Sequence, residues 1–299
     1  MATPPNPVLK KLGYTEKDRL VLIHTDDIGM CQASVAAYAE LDAYGLISCG
    51  GVMVPCPWFL EIAAYARQNP KTDLGVHITL TSEWQTFRWK ALSTCDPASG
   101  LIDEEGCLPR TSEAVQDHAS PEAVEAEMET QIQRALAAGM HPTHIDTHMG
   151  TVMHLKFIGP YLRLAMKYRL AVMAFRRSAE EWQAYGLDPE TAQAGARLCQ
   201  QIEAMGIPMI DNITTIPFDR IDNHLENAKK TFSSLPSGIT HLYFHPSIDS
   251  PELRAITPRW ENRVADLQVF LSDDLRKHIQ SEGIQVIGYR SLQNLLPEI

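Results

Sequence analysis

The chain has 299 residues, of which 44% are hydrophobic and 21% charged, a composition that excludes disorder, collagen-like repeats and a disulfide scaffold. Its formal net charge of −11 offers no basic surface for phosphate backbones, so we expect no nucleic-acid partner. Because no run of about 18 apolar residues occurs and the first residues do not form a signal peptide, we expect a cytoplasmic protein without a membrane partner.

Short runs rich in branched residues alternate with helical patterns, which indicates βα units around a parallel sheet. The first part of the chain is predicted to form strand 20–26, helix 31–44, strand 47–54, helix 58–68, strand 74–80, helix 121–138 and strand 143–149. The remainder is predicted to form helix 155–168, strand 171–176, helix 193–205, strand 207–215, helix 222–234, strand 239–245, helix 260–281 and strand 284–289. We therefore predict an α/β fold, a TIM-like, irregular (β/α)7–8 barrel that forms a single domain over residues 1–299.

One segment breaks the regular alternation of strands and helices. Residues 81–119 are too many for an ordinary βα connection, and they include Trp84 and Trp89. Long insertions in barrels usually lie at the mouth of the active site, so we interpret 81–119 as a long active-site loop or lid. The two indole rings are expected either to stack on sugar faces or to pack within the loop.

Unusual polar residues fall at the ends of the predicted strands. Asp26 and Asp27 end the first strand, His77 lies in the third, His148 ends the fourth and His245 ends the seventh. In a β/α barrel the carboxyl ends of the strands meet on one face, where barrel enzymes assemble their active sites. The sequence therefore predicts that these five residues converge.

Two imidazoles and a carboxylate are ligands typical of zinc or another divalent first-row ion. Such an ion can lower the pKa of a bound water from about 15.7 to about 7. One acid of the pair Asp26-Asp27 could then bind the ion while the other acts as general base. Two adjacent carboxylates repel each other unless a cation or a proton separates them, which also favours a metal site.

Three residues are candidates for supporting roles, His245 from the set above and two others. Asp146 shares a strand face with His148, so it could orient a histidine ligand. His245 precedes Pro246 and is a candidate proton donor to a leaving group. Arg176 follows a predicted strand and could bind a substrate carboxylate, or it could form a surface ion pair.

Four motifs together resemble the YdjC-like (ChbG-type) carbohydrate deacetylases. They are HTDDIG at 24–29, GVHITLT at 75–81, PTHIDTH at 142–148 and FHPS at 244–247. The resemblance implies an irregular β/α barrel related in layout to the NodB-type polysaccharide deacetylases. It also implies removal of acetyl groups from N-acetylated sugars with a divalent metal, commonly magnesium and sometimes zinc.

The resemblance also assigns a role to each residue of the predicted site. It implies that Asp27, His77 and His148 bind the metal, that Asp26 is the base, and that His245 corresponds to a histidine-proline motif. In addition, Arg263 and Asp266 resemble an Arg-x-x-Glu element in a late helix. The chain departs from the family in reading HTDDIG where NADDFG is frequent, and no second histidine follows closely after His148.

We therefore expect hydrolysis of an acetamide on a small carbohydrate substrate. Two other interpretations stay open at this stage: a metal-dependent sugar isomerase or epimerase, and a non-catalytic carbohydrate-binding protein. The sequence does not decide whether the protein forms a homo-oligomer.

Overall fold

The computed structural model describes residues 4–217 and 222–298. Its strands form one parallel sheet and are β1 Arg19–Ile28, β2 Cys49–Val52, β3 Leu74–Ile78, β4 His144–Thr147, β5 Ala171–Val172, β6 Asn212–Thr215, β7 Gly238–Phe244 and β8 Gln285–Val286. The strand order is β5-β4-β3-β2-β1-β7-β6, and β8 also pairs with β1. A parallel bridge between Phe175, after β5, and Ile210, before β6, joins the two ends of this order, so the sheet curls into an irregular barrel.

The helices of the described residues surround this sheet. The first seven are α1 Pro7–Lys11, α2 Gln32–Tyr44, α3 Phe59–Gln68, α4 Ser112–His118, α5 Pro121–Ala137, α6 Ile158–Tyr168 and α7 Ala179–Ala184. The remainder are α8 Pro189–Ala204, α9 His224–Ser233, α10 Pro251–Ile256, α11 Trp260–Phe270, α12 Asp273–Ser281 and α13 Tyr289–Gln293. None of the helices in residues 4–217 and 222–298 is long and apolar enough to span a membrane.

The central strand β1 is buried on both of its faces. Leu20 and Leu22 pack inside the barrel in a cluster that includes Tyr289, whereas the alternate residues of β1 pack outside against the helices. His24 and Asp26 continue the inward face, because successive side chains of a strand alternate between its two sides. The barrel interior therefore changes from apolar to polar towards the carboxyl ends of the strands.

The predicted barrel and the order of its βα units are confirmed. Helix α5 forms nearly over the predicted range, since the Ser120 side chain accepts a hydrogen bond from the Ala123 N–H and Pro121 occupies the first turn. The prediction of a single helix over 260–281 is wrong. The chain ends α11 at Phe270 and starts α12 at Asp273, because Ser272 caps the second helix.

Other boundaries differ from the sequence-based prediction. The strand predicted over 171–176 is reduced to two residues. The helix predicted from 193 starts at Pro189, where Asp188 accepts hydrogen bonds from two backbone N–H groups of the first turn. Five short helices, α1, α4, α7, α10 and α13, were not predicted, because segments of five to seven residues are too short to show a helical period.

Candidate active site

The residues singled out at the strand ends meet at the carboxyl end of the barrel. Asp26 and Asp27 lie at the end of β1, His77 lies in β3, His148 directly follows β4 and His245 directly follows β7. Each of the five contacts at least one other of the set, with nitrogen–oxygen distances of 3.1 to 4.0 Å between a histidine and an aspartate. The parallel sheet thus assembles one buried cluster from residues more than two hundred positions apart in the chain.

A β-bulge at the end of β1 turns Asp27 towards the cluster. From Thr25 to Ile28 this strand advances three residues while β2 advances two, so one residue of β1 is extra. Asp27 has a φ of 59°, in the left-handed region that few residues other than glycine adopt. In a regular strand, Asp26 and Asp27 would point to opposite faces. The bulge therefore allows both carboxylates to face one site.

Three atoms of the cluster are arranged as ligands of one cation. Asp27 Oδ1 lies 3.7 Å from His77 Nε2 and 3.1 Å from His148 Nδ1. This oxygen is buried and accepts no hydrogen bond of acceptable geometry from any residue that the structure describes. Ligand atoms bound about 2.1 Å from a shared divalent ion lie roughly 3 to 3.5 Å from one another. Asp27, His77 and His148 therefore fit a divalent metal ion.

The opposite nitrogen of each imidazole contacts a second carboxylate. His77 Nδ1 lies 2.7 Å from Asp146 Oδ2, and His148 Nε2 lies 3.1 Å from Glu83 Oε2. Histidine ligands of metals almost always donate their other N–H to an acceptor of this kind, which fixes the tautomer and the ring orientation. Each ring thereby presents its other nitrogen, His77 Nε2 or His148 Nδ1, to the side where Asp27 lies.

The buried carboxylates shift the pKa values of both imidazoles. Burial by itself lowers the pKa of His148, but the negative charges of Glu83 and Asp27 raise it to about 10. For His77, burial is likewise outweighed by the charge of Asp146, and its pKa is raised. The cluster therefore has a negative potential that attracts cations, either protons on the rings or a metal ion.

Arg263, on α11, contacts the other oxygen of Asp27. Its Nη2 donates a hydrogen bond of 2.7 Å to Asp27 Oδ2. Burial opposes ionisation of Asp27, but Arg263 and His148 hold its pKa well below the usual range. Arg263 thus keeps the carboxylate charged and engages Oδ2, which leaves Oδ1 to face the two imidazoles.

Asp26 and His245 lie beside this set of ligand atoms. Asp26 Oδ2 is 4.0 Å from His77 Nε2 and 3.9 Å from His245 Nε2, while Asp26 Oδ1 is 2.6 Å from His24 Nδ1. Burial raises the pKa of Asp26, but the charge of His77 and the hydrogen bond from His24 lower it by more, so Asp26 is an ionised carboxylate that can accept a proton. Asp266 accepts a hydrogen bond of 3.0 Å from the backbone N–H of His245 and so anchors this segment.

The segment 81–119 supplies side chains to the same region. The guanidinium of Arg263 lies 5.8 Å from the Trp84 ring, and the Trp89 ring lies 6.4 Å from that of His148. The Trp89 indole N–H donates to the backbone carbonyl of Thr81 at 2.8 Å, and the side chain is only 3% exposed. Trp89 therefore packs beneath the site, whereas the half-buried Trp84 stays a candidate for substrate contact.

The structure does not bring Arg176 to this cluster, which corrects its predicted role. Its guanidinium contacts Glu203 at 2.9 Å, the carbonyl of Pro4 at 2.9 Å and Asp211 at 3.3 Å. Asp211 also accepts a hydrogen bond from the backbone N–H of Ile239, near the start of β7. Arg176 thus belongs to the amino end of the barrel and forms structural ion pairs there.

Glu83 and His24 join the site although the sequence did not single them out. Glu83 lies in an irregular loop, where no periodic pattern shows which way a side chain points. His24 did carry a usable signal, because it lies two residues before Asp26 and so shares its strand face.

The fold and the cluster together define a β/α-barrel protein with a carboxylate–histidine site at the carboxyl ends of its strands. The chain belongs to the YdjC-like protein family, whose family model matches residues 20–281.

Named relatives extend over almost the whole chain. A carbohydrate deacetylase of Thermus thermophilus is 32% identical over 270 residues, covering 90% of this chain and 92% of the relative. A carbohydrate deacetylase of Thermoanaerobacter pseudethanolicus is 26% identical over 276 residues, with 92% and 100% covered. A solved structure from Enterococcus faecalis is described as a candidate cellobiose-phosphate cleavage protein. It matches this chain with a TM-score of 0.76 at 23% identity, and the match covers 92% of this chain and 99% of the other. This likeness supports the fold.

Proposed function

We propose that the protein is a metal-dependent carbohydrate deacetylase that hydrolyses the acetamide of an N-acetylated amino sugar. The observation that carries the proposal is the convergence of Asp27 Oδ1, His77 Nε2 and His148 Nδ1, with the far side of each imidazole held by a carboxylate. The relatives named carbohydrate deacetylase support the reaction class, since they match over 90% or more of this chain.

A divalent ion, zinc or magnesium, would be held by Asp27, His77 and His148. Two imidazole ligands favour zinc or another first-row ion, because magnesium prefers oxygen ligands. Such an ion supplies Lewis acidity, which lowers the pKa of water and polarises a carbonyl group. Arg263 supports binding by keeping the Asp27 carboxylate ionised in a buried position.

The remaining residues of the cluster supply proton transfer. Asp26 accepts a proton from the water that attacks the acetyl carbon, because its ionised Oδ2 faces the ligand set. Burial lowers the pKa of His245, so this imidazole is neutral before the reaction and must first receive the water's proton from Asp26, whose Oδ2 lies 3.9 Å from its Nε2. His245 then passes that proton to the amine nitrogen as the carbon–nitrogen bond breaks, which leaves both residues as they began. The products are acetate, which gains the oxygen of the water, and a free amino sugar, whose nitrogen gains a proton.

A screen of N-acetylated sugars tests the proposal. The purified protein is incubated with each sugar in the presence of zinc, magnesium, manganese or cobalt, and both acetate and free amine are measured. We expect equimolar acetate and amine with at least one sugar, and none with Asp26→Asn. A rearranged sugar of unchanged mass would indicate an isomerase, and saturable binding without turnover would indicate a carbohydrate-binding protein; either outcome contradicts the proposal.

A further inference from the structure

A chain of buried polar side chains runs from Asp26 down the inside of the barrel. His24 contacts Asp26 Oδ1 through Nδ1 at 2.6 Å and His144 Nε2 through Nε2 at 2.9 Å. The hydroxyl of Thr143 contacts His144 Nδ1 at 2.9 Å and also the carboxylate of Asp73. Asp73 directly precedes β3, so this row of hydrogen-bonded side chains connects the carboxyl end of the sheet with its amino end.

The neighbouring strands are shaped to hold these rings. A Cβ added to Gly75 would lie 2.6 Å from the ring of His144, and one added to Gly51 would lie 3.0 Å from Cε1 of His24. The ring of Tyr289 stacks on that of His144 with centroids 4.0 Å apart and an interplanar angle of 16°. The two imidazoles are therefore fixed by packing as well as by hydrogen bonds.

The contact with His24 gives the two oxygens of Asp26 different surroundings. Oδ1 is engaged by His24 Nδ1, whereas Oδ2 faces His77 and His245. Since an ionised carboxylate can only accept hydrogen bonds, the N–H at His24 Nδ1 must be the donor. A carboxylate has little intrinsic torsional preference at its terminal bond, so this donor decides which way Asp26 points.

Burial also fixes the protonation state of the imidazoles that lie below His24 in the barrel. Burial and the charge of His24 hold the pKa of His144 well below its usual range. Burial likewise lowers the pKa of the neighbouring His241 to about 3. Both rings are therefore neutral, and His144 has one nitrogen that accepts and one that donates.

We infer that His24 is a positioning residue that directs Asp26 Oδ2 towards the reacting water, and that His144, held in the space left by Gly75, keeps His24 in place. This inference rests on the proposed function, because it assigns the orientation of the proposed base. It adds a buried support, outside the metal ligands, on which turnover depends.

Two substitutions of His24 separate positioning from packing. His24→Leu removes the donor but keeps a buried apolar side chain of similar size, and should lower kcat by roughly 10²-fold with little change in KM. His24→Asn places an amide N–H near the former Nδ1 and should recover turnover to within about tenfold of the wild type. The affinity of the metal-free protein for zinc, measured by calorimetry, should be unchanged in both variants. Wild-type kcat in His24→Leu would overturn the inference, as would no recovery in His24→Asn.

A substitution remote from the cluster tests the support by His144. Gly75→Ala should displace the His144 ring and lower kcat by about tenfold, again at unchanged zinc affinity. Gly159→Ala is the matched control, because the added Cβ would meet only Arg163 Nη1 at 3.6 Å, an ordinary contact. Equal turnover in the two alanine variants would contradict the role of His144.

Crystal structures of the zinc-loaded wild type and His24→Leu give a result that does not depend on activity. We expect the Asp26 carboxylate to rotate in the variant while Asp27, His77 and His148 keep their positions. An unrotated Asp26 would overturn the inference even if a deacetylase substrate is found. Rotation together with a wild type that releases no acetate would overturn the proposed function alone. If His24→Leu does not fold, the structure of Gly75→Ala decides by the same criterion.

Discussion

Polar clusters lie at both ends of the barrel, and they differ in how their charges are matched. At the amino end, the Arg176 guanidinium contacts Glu203 and Asp211. Asp211 in turn accepts hydrogen bonds from the Asn6 side chain and from the backbone N–H of Ile239. Positive and negative groups are paired there, and the cluster ties the amino-terminal segment to the barrel.

At the carboxyl end, the carboxylates of Asp26, Asp27, Asp146 and Glu83 surround the imidazoles of His77 and His148. Two of their buried oxygens, one of Asp27 and one of Asp146, accept no hydrogen bond from any described residue. Of these four carboxylates only Asp27 contacts an arginine among the described residues, namely Arg263, so the excess of negative charge is costly to bury unless protons or a metal ion are bound. Excess negative charge, rather than polarity as such, thus distinguishes the candidate metal site at the carboxyl end from the structural cluster at the amino end.

The largest difference between the two ends should appear when a proposed metal ligand is removed. Asp27→Ala deletes the proposed ligand oxygen and leaves the Arg263 guanidinium without its partner. We therefore expect loss of zinc binding and a rate of acetate release that is lower by roughly 10³-fold or more. Calorimetric titration of the chelator-treated protein measures the first effect. A variant that binds zinc as the wild type does would remove Asp27 from the ligand set.

A second substitution separates the role of the proposed base from that of the proposed metal ligands. Asp26→Asn keeps the size of the side chain but abolishes its basicity, so turnover should fall by about 10²- to 10⁴-fold while one zinc ion still binds. Acetate release and zinc stoichiometry are measured on the same preparation. Normal turnover would show that Asp26 is not the base, and lost zinc binding would show that it is a ligand.

Substitutions of Glu83 test whether the loop 81–119 supports the candidate metal site. Glu83→Ala removes the acceptor from His148 Nε2 and should weaken zinc binding by roughly 10- to 100-fold. The zinc affinity of Glu83→Gln should be close to that of the wild type, because the amide oxygen can still accept a hydrogen bond from that N–H. Equal zinc affinity in all three proteins would show that the contact does not orient His148.

The smallest effect on activity is expected at the amino end. Arg176→Ala should leave zinc affinity and kcat within about twofold of the wild type, because the guanidinium does not contact the site. It should instead lower the free energy of unfolding by about 1–3 kcal/mol, since Asp211 loses a charged partner. Urea denaturation measures this difference. A large loss of kcat without destabilisation would contradict the contrast between the two ends.

The strand-end residues could be predicted from the sequence because two simple regularities apply to them. Branched runs mark the strands, and parallel strands place their carboxyl ends together. Asp26, His77, His148 and His245 therefore converge as expected. Asp146 could also be placed, because alternation along β4 puts it on the inward face.

Other features depend on geometry that a pattern of residues does not specify. The bulge that redirects Asp27 needs a positive φ at an aspartate, and nothing in the run HTDDIG separates it from a regular strand end. Glu83 lies in a loop without a period. Arg176 follows a strand as catalytic residues often do, but the chain there turns towards Glu203 and Asp211 at the amino end.

A crystal structure of the protein soaked with zinc, with anomalous scattering recorded at the zinc edge, tests the central claim most directly. We predict a peak about 2.0–2.2 Å from Asp27 Oδ1, His77 Nε2 and His148 Nδ1, with Arg263 still on Asp27 Oδ2. A peak at the Arg176 cluster alone, or a zinc-saturated crystal in which His77 and His148 bind no ion, would contradict it.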